Sequence, residues 1–144
     1  MMIMEKQIVF DYNAEKPSFI DLRQKIDRAC RRLGLDKEES LHVQIAVDEA
    51  CTNVVRHAYK NNGGKIRIEL RPLNKKLKIV IKDWGNPFQK DYQAASKPHQ
   101  VIQTKKTGGL GIFTIKKLMN EVKYYRRKNH NELVLTKIRK IKNA

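Results

Sequence analysis

The sequence contains few of the features that mark a membrane or secreted protein. Its 144 residues include no apolar run near the roughly 20 residues that a membrane-spanning helix needs. The apolar start at residues 1–4 is followed at once by Glu5 and Lys6, which makes it too short for the core of a signal peptide. We therefore expect a cytoplasmic protein without membrane contacts, and the length suits a single domain over residues 1–144.

Cysteine is scarce as well. Cys30 and Cys51 have no second cysteine or histidine at metal-ligand spacing beside them. Both fall in stretches with helical apolar spacing, which is typical of buried free thiols. Neither a disulfide framework nor a structural zinc site is therefore expected.

Acidic residues are outnumbered by basic ones. Lys and Arg total 31 against 15 Asp and Glu, giving a net charge of +16 and a pI near 10.0. Such a charge predicts attraction to polyanions, namely nucleic acid, nucleotide phosphates or an acidic protein surface. The basic residues are spread along the chain, however, and aromatics make up only 7%, so no base-stacking platform stands out. We expect no direct contact with nucleic acid, and a basic nucleic-acid-binding domain is the least favoured alternative.

Apolar periodicity divides the chain into helices and strands. Helical spacing occurs in three stretches, at residues 18–33, 36–59 and 112–119. Strand alternation occurs in five stretches, at residues 7–12, 66–71, 77–82, 121–127 and 132–139. Pro17 and Asp36 suit helix starts, and turns are expected at residues 72–75 and 129–131.

A polar stripe lies on the second helix. Glu49 and Asn53 are four residues apart, and Arg56, His57 and Lys60 continue roughly the same stripe. Asn is a poor residue for a helix interior, so its presence needs a reason. A Glu that takes a proton, with an Asn that ligates a hard cation one turn on, is such a reason. The alternative is a solvated polar face. Apolar residues on the opposite side are expected to face a core: Val43, Val47, Ala50, Cys51, Val54 and Ala58.

Asp83 ends the strand at 77–82 in phase with its apolar residues. Its carboxylate should therefore leave the strand on the same face as Ile79 and Ile81. A buried carboxylate without partners is costly, so we expect hydrogen-bond donors there. Either Asp83 belongs to a binding site, or a turn after the strand satisfies it.

Two further features follow Asp83. Residues 86–107 show no sustained periodicity, which is typical of a functional lid or a disordered segment. The run of glycines at 108–111, interrupted by Leu110, then leads directly into a helical pattern. Glycines at a helix start let backbone N–H groups approach an anion, although a plain loop is the simpler explanation.

Taken in order, these signals resemble the ATPase domain shared by gyrase, heat-shock protein 90, histidine kinases and MutL. Within that superfamily the chain is most similar to the bacterial anti-sigma-factor serine kinases, also through residues 57–59, 111–115 and 133–137. The resemblance spans nearly the whole chain. It implies an α+β fold, a two-layer α/β sandwich of the histidine-kinase-like ATPase (Bergerat) type. The sheet would be mixed and mostly antiparallel, with helices on one face.

The resemblance implies a role for each residue of the site. Glu49 would be the general base, and Asn53 would coordinate the Mg²⁺ that bridges the phosphates of ATP. Asp83 would accept a hydrogen bond from the adenine amine, Gly85 would let the backbone pass close to the base, and Thr136 would support the adenine end alongside Asp83.

The same resemblance places Gly109 and Gly111 at the phosphates, with the preceding segment closing as a lid. Lys105 or Lys106 would meet the terminal phosphate. Pro87 stands where the family pattern usually has a second glycine, which fits the anti-sigma-like branch better than the histidine kinases.

The function implied is an ATP-binding anti-sigma factor with serine/threonine kinase activity. It would sequester an alternative sigma factor and phosphorylate an anti-sigma-factor antagonist. The resemblance also suggests a homodimer. The alternative within the same fold is a module that binds and senses the nucleotide without phosphoryl transfer.

Overall fold

The computed structural model describes residues 6–14, 19–88 and 109–140, and in these ranges five strands form one antiparallel sheet. The strands are β1 Ile8–Asn13, β2 Lys65–Leu73, β3 Lys76–Asp83, β4 Glu121–Arg126 and β5 Asn131–Ile138. Their order is β1-β2-β3-β5-β4, so β3 is central and β1 and β4 form the edges. Every pairing between neighbours is antiparallel. Pro17, which was predicted to lie at a helix start, lies outside the described residues.

The helices pack on one face of this sheet, as predicted. They are α1 Ile20–Arg32, α2 Lys37–Asn53 and α3 Gly109–Leu118, and α2 contacts both of the others. Alternate residues of β2, β3 and β5 point toward them and are buried: Ile66, Ile68, Leu70, Leu77, Ile79, Ile81, Leu133 and Leu135. This confirms the two-layer α+β fold and its hydrophobic core between sheet and helices.

Local sequence accounts for the helix starts and faces. Asp36 caps α2 by accepting a hydrogen bond from the Glu39 N–H, and Glu39 accepts from the Asp36 N–H in return. The apolar stripe of α1 is buried at Leu22, Ile26 and Cys30. Cys30 and Cys51 are free and buried, as expected, and burial raises the pKa of the Cys30 thiol to about 12.

The helix predicted to reach Tyr59 changes its hydrogen-bonding pattern on the way. Beyond Asn53 the backbone forms a π-helical turn, Val54–Ala58, in which the Tyr59 N–H donates to the Val54 carbonyl oxygen at 3.0 Å. Such wide turns are rare and frequently occur at functional sites. Here the turn breaks the polar stripe: Asn53 is buried, whereas Arg56 and Lys60 are exposed.

Two turns differ from the predicted ones. The β2–β3 connection consists of Asn74 and Lys75 alone, because Leu73 and Lys76 already pair. Asn74 has a φ of 54°, a left-handed conformation that Asn tolerates well. At the β4–β5 connection, Asn131 is the first residue of β5 rather than part of the turn, and this places its side chain in the core-facing layer.

Candidate functional site

A small cavity lies where the end of β3 meets α2 and the π-helical turn. Its lining combines polar and apolar side chains: Ala50, Asn53, Val54, Ala58, Ile81, Asp83, Asn86, Phe88, Tyr124 and Leu133. The volume is about 20 Å³, which has room for about one water molecule. Asn53 and Asp83, predicted independently from a helix stripe and a strand phase, therefore face the same space.

Asp83 is buried on the apolar face of β3, as its phase predicted. Its Oδ1 atom accepts hydrogen bonds from the Asn131 side-chain amide at 2.9 Å and from the Gly85 N–H at 3.0 Å. Burial raises the pKa of the Asp83 carboxyl, and these donors and the nearby His130 offset part of that rise. No described residue donates to Oδ2, which leaves this atom for a donor in the cavity.

Asn131 is the partner of Asp83 that sequence reasoning missed. It lies directly opposite Asp83 in the β3–β5 pairing and is 3% exposed. Its amide donates to Asp83 and, at 3.1 Å, to the Gly85 carbonyl oxygen. The available signal was its phase with Leu133 and Leu135, but the register against β3 cannot be read from local sequence.

Thr136 does not lie beside Asp83, so this part of the expectation was wrong. It pairs with Lys78, five residues along β5 from Asn131, which corresponds to roughly 17 Å of strand. The odd number of residues also turns Thr136 to the opposite face of the sheet, away from the helices. The position that the resemblance gave to Thr136 is taken by Asn131.

Glu49, Asn53 and Gly111 are brought together between α2 and α3. A β-carbon built at Gly111 would lie 2.8 Å from Oε2 of Glu49 and 3.8 Å from Nδ2 of Asn53. The first turn of α3 therefore passes so close to the Glu49 carboxylate that only glycine leaves it in place. Gly109 is the first residue of this helix. A carboxylate, an amide and a helix N-terminus meet at one point.

The Asn53 amide has an unmet hydrogen-bonding group. Its Nδ2 atom is buried and has no partner among the described residues. Such an orphan is costly, and rotation of the amide would present its oxygen to the same space. Among the described residues no group of three or more His, Cys, Asp or Glu could hold a metal. A single amide oxygen suits Mg²⁺, which binds through few protein ligands together with substrate phosphates.

Only glycine fits at position 85, because the backbone of Ala58 lies directly against it. A β-carbon there would lie 2.5 Å from the Ala58 carbonyl oxygen, which also accepts the Asn86 N–H at 2.9 Å. The π-helical turn thus docks directly against the segment that follows β3. This contact gives Gly85 a structural reason that the sequence did not indicate.

Phe88 closes the described part of the segment after β3. Its N–H donates to the Tyr124 hydroxyl at 2.8 Å, and its carbonyl oxygen accepts from Arg126 Nη2 at 3.0 Å. Its ring meets the His57 ring edge-on, with centroids 5.3 Å apart. Phe88 and Tyr124 both line the cavity, so β4 holds one wall of the site in place. The predicted lid from residue 89 onward, with Lys105, Lys106 and Gly108, lies outside the described residues.

Comparisons with known proteins identify relatives over most of the chain. Residues 13–137 match the model of the histidine kinase-like ATPase domain. A serine-protein kinase RsbW from Bacillus licheniformis is 35% identical over 115 residues, covering 74% of this chain and 71% of the relative. A serine-protein kinase RsbW from Staphylococcus aureus strain MSSA476 is 38% identical over 113 residues, covering 73% and 70%.

A solved structure shares the fold. The crystal structure of the RsbU and RsbW domains of a Mycobacterium tuberculosis protein superposes with a TM-score of 0.67 at 14% identity, covering 94% of this chain and 33% of that one. None of the described helices is both long enough and apolar enough to cross a membrane. The family resemblance drawn from the sequence is confirmed: this chain belongs to the histidine kinase-like ATPase family, and the two RsbW relatives are named as serine-protein kinases.

Proposed function

We propose that this protein is an ATP-binding anti-sigma factor that phosphorylates an anti-sigma-factor antagonist on serine or threonine. The observation that supports it most is the meeting of Glu49 and Asn53 with the first turn of α3, while Asp83 lines the same cavity as Asn53. The relatives named as serine-protein kinases support the same reaction class. The alternative sigma factor and the antagonist are partners in this proposal.

Each residue has a defined part in nucleotide binding. Asp83 Oδ2 accepts a hydrogen bond from the adenine amine, and Asn131 holds the other carboxylate oxygen in place. The N-terminal N–H groups of α3 face the phosphates, where the helix dipole favours negative charge. Asn53 ligates Mg²⁺, which neutralises phosphate charge when it is bound. Lys105 belongs to the proposal as the cation at the terminal phosphate.

Glu49 acts as the general base in this proposal. It is partly exposed and lies at the phosphate end of the site, where it can accept the proton of an incoming hydroxyl. General-base catalysis of this kind contributes roughly 10²–10⁴-fold to the rate.

The excess of basic residues favours acidic partners and raises their association rate at low salt. Exchange of ATP for ADP would shift the population of lid conformations and so switch partner binding.

The decisive experiment separates binding from transfer. Thermal unfolding is measured with ATP and with ADP, each with and without Mg²⁺, and stabilisation that requires Mg²⁺ is expected. Purified candidate antagonists are then incubated with γ-labelled ATP and either the wild-type protein or Glu49→Gln. The variant should keep the nucleotide-dependent stabilisation and lose at least about 100-fold in transfer.

Three outcomes would count against this proposal. Absence of Mg²⁺-dependent stabilisation would exclude the nucleotide site itself. Nucleotide binding without any transfer to an antagonist would leave a sensing module of the same fold. Transfer that is unchanged in Glu49→Gln would remove Glu49 from the chemistry. The mass of the protein in solution, measured by light scattering, tests the homodimer that the family suggests.

A further inference from the structure

A second, larger cavity lies at the β1 edge of the sheet, beneath α1. It is a groove of about 420 Å³ between α1 and the edge strand β1, lined by Ile8, Phe10, Lys25, Arg28, Ala29 and Arg32. It shares no lining residue with the cavity at Asp83. Its volume falls in the range of ordinary binding clefts. Nothing in the proposed kinase chemistry requires it.

The rim of this groove carries positive charge that no acidic residue of the described ranges pairs with. Lys25, Arg28 and Arg32 are spaced three and four residues apart, so they form one stripe along α1. All three are exposed, and none forms an ion pair with a described residue. Arg23 on the same helix differs, because it pairs with Asp48 at 2.8 Å. Three cations therefore lie close together without an ion-pair partner in the part of the chain that the structure describes.

The floor of the groove is apolar and belongs to a sheet edge. Ile8 and Phe10 point toward the helical layer but are only half-buried, because α1 does not cover them completely. In the described part of the chain β1 pairs with β2 alone. The groove thus combines apolar side chains, an outer strand and a row of cations. Apolar contacts with a charged rim are the usual composition of a protein docking site.

The positive charge of the groove indicates which kind of molecule can bind there. A second copy of this chain carries the same +16 charge and would have to approach the three cations of this rim. Nucleic acid would satisfy the cations, but the floor offers its bases a single aromatic ring, Phe10, which is partly buried. We propose that this groove binds an acidic segment of a partner protein. Its apolar side chains pack against Ile8 and Phe10, and its carboxylates pair with Lys25, Arg28 and Arg32. This inference does not depend on the proposed kinase activity.

A labelled peptide tests the proposal directly. The probe is a fluorescein-labelled peptide of alternating Glu and Leu, and its binding to the full chain is followed by fluorescence anisotropy. The triple variant K25A, R28A, R32A should bind about tenfold more weakly, and added salt should weaken wild-type binding. The matched control is K75A, K76A, K128A, which removes three exposed cations elsewhere and should change affinity less than about twofold.

Charge reversal provides the stronger arm. The variant K25E, R28E, R32E should lose the Glu–Leu peptide and gain a peptide of alternating Lys and Leu, a result that loss of folding cannot produce. A Glu–Ser peptide should bind at least about tenfold more weakly than Glu–Leu, because the floor is apolar.

Four results would overturn the proposal. The first is an equal loss of peptide affinity in the two triple-alanine variants, and the second is equal binding of the Glu–Ser and Glu–Leu peptides. The third is a groove variant that loses affinity for oligo-dT but not for the peptide. The fourth is a groove variant that changes the mass of the protein in solution. The last two would assign the groove to nucleic acid or to a second copy of the chain.

Discussion

A β-carbon at position 111 would lie 2.8 Å from Oε2 of Glu49, closer than a side chain and a carboxylate can approach. The atom it meets is the free end of a flexible side chain, so Gly111→Ala should fold normally and displace the carboxylate. We expect a free energy of unfolding within about 1 kcal/mol of wild type, since alanine favours a helix. Phosphoryl transfer should fall about 100-fold, because the general base moves.

The measurement pairs urea unfolding with the labelled-ATP assay. Lys117→Ala, an exposed change on the same helix, is the control and should leave both unchanged. Transfer at the wild-type rate in Gly111→Ala would show that the position of Glu49 is not critical. A large loss of stability would instead place the tight contact in the backbone.

Asp83→Asn separates stability from nucleotide binding. An asparagine oxygen can still accept from Asn131 and Gly85, whereas its NH₂ group faces the cavity with a donor in place of an acceptor. The substitution also removes a carboxylate that is costly to bury. The nucleotide-free protein should therefore be as stable as wild type or more stable, while stabilisation by ATP should largely disappear. Thermal unfolding with and without ATP measures both; a variant that is still stabilised by ATP would contradict the role of Asp83.

The same carboxyl predicts a pH dependence. Because the folded-state pKa of Asp83 is raised, the folded protein takes up this proton at a higher pH than the unfolded chain. This group's contribution to the free energy of unfolding therefore increases as the pH falls from above the folded pKa toward the ordinary value of 3.8. The pKa values of Glu69 and Glu132 are lowered, so their contributions decrease as the pH falls.

The difference between wild type and Asp83→Asn isolates the contribution of Asp83. Wild type should gain stability relative to the variant on acidification, and its stabilisation by ATP should shrink over the same window as the acceptor is protonated. A difference that stays constant with pH would show that Asp83 has an ordinary pKa.

Gly85→Ala should damage the fold itself. Its β-carbon would lie 2.5 Å from the carbonyl oxygen of Ala58 and 2.9 Å from the Ala58 β-carbon. These atoms belong to the π-helical turn and cannot rotate away, so the two segments must separate. Overpacking of this kind costs about 1–3 kcal/mol. Urea unfolding should detect the loss, whereas Asn86→Ala, which retains the backbone bond to Ala58, should be near wild type; equal stabilities for the two variants would contradict the close packing.

Features set by local chemistry could be predicted from the sequence. Three of them are the helix start at Asp36, the buried stripe of α1 and the inward phase of Asp83, and each depends on residues a few positions apart. Asn53 was recognised because Asn is unusual in a helix, and its orphan amide agrees with that reasoning.

Features that depend on contacts between distant parts of the chain could not be predicted from the sequence. The π-helical turn docks against Gly85, which is distant in sequence, and the anchoring of Phe88 depends on side chains of β4. The error over Thr136 has the same origin: the strand was correct, but its register against β3 depends on the whole sheet. A shift along a strand by an odd number of residues reverses the face as well as the position.

The register gives the last prediction, which compares Asn131 with Thr136. In Asn131→Ala, Asp83 Oδ1 keeps only the Gly85 N–H as a donor, and the Gly85 carbonyl oxygen loses its amide partner. We expect a loss of about 1–3 kcal/mol in the free energy of unfolding and weaker ATP binding, since the carboxylate is no longer held. Thr136→Val keeps the shape of a buried residue on the opposite face and should leave ATP affinity unchanged. Calorimetric titration with Mg²⁺ and ATP decides the matter: weakened binding in Thr136→Val with normal binding in Asn131→Ala would mean that Thr136 supports the adenine end after all.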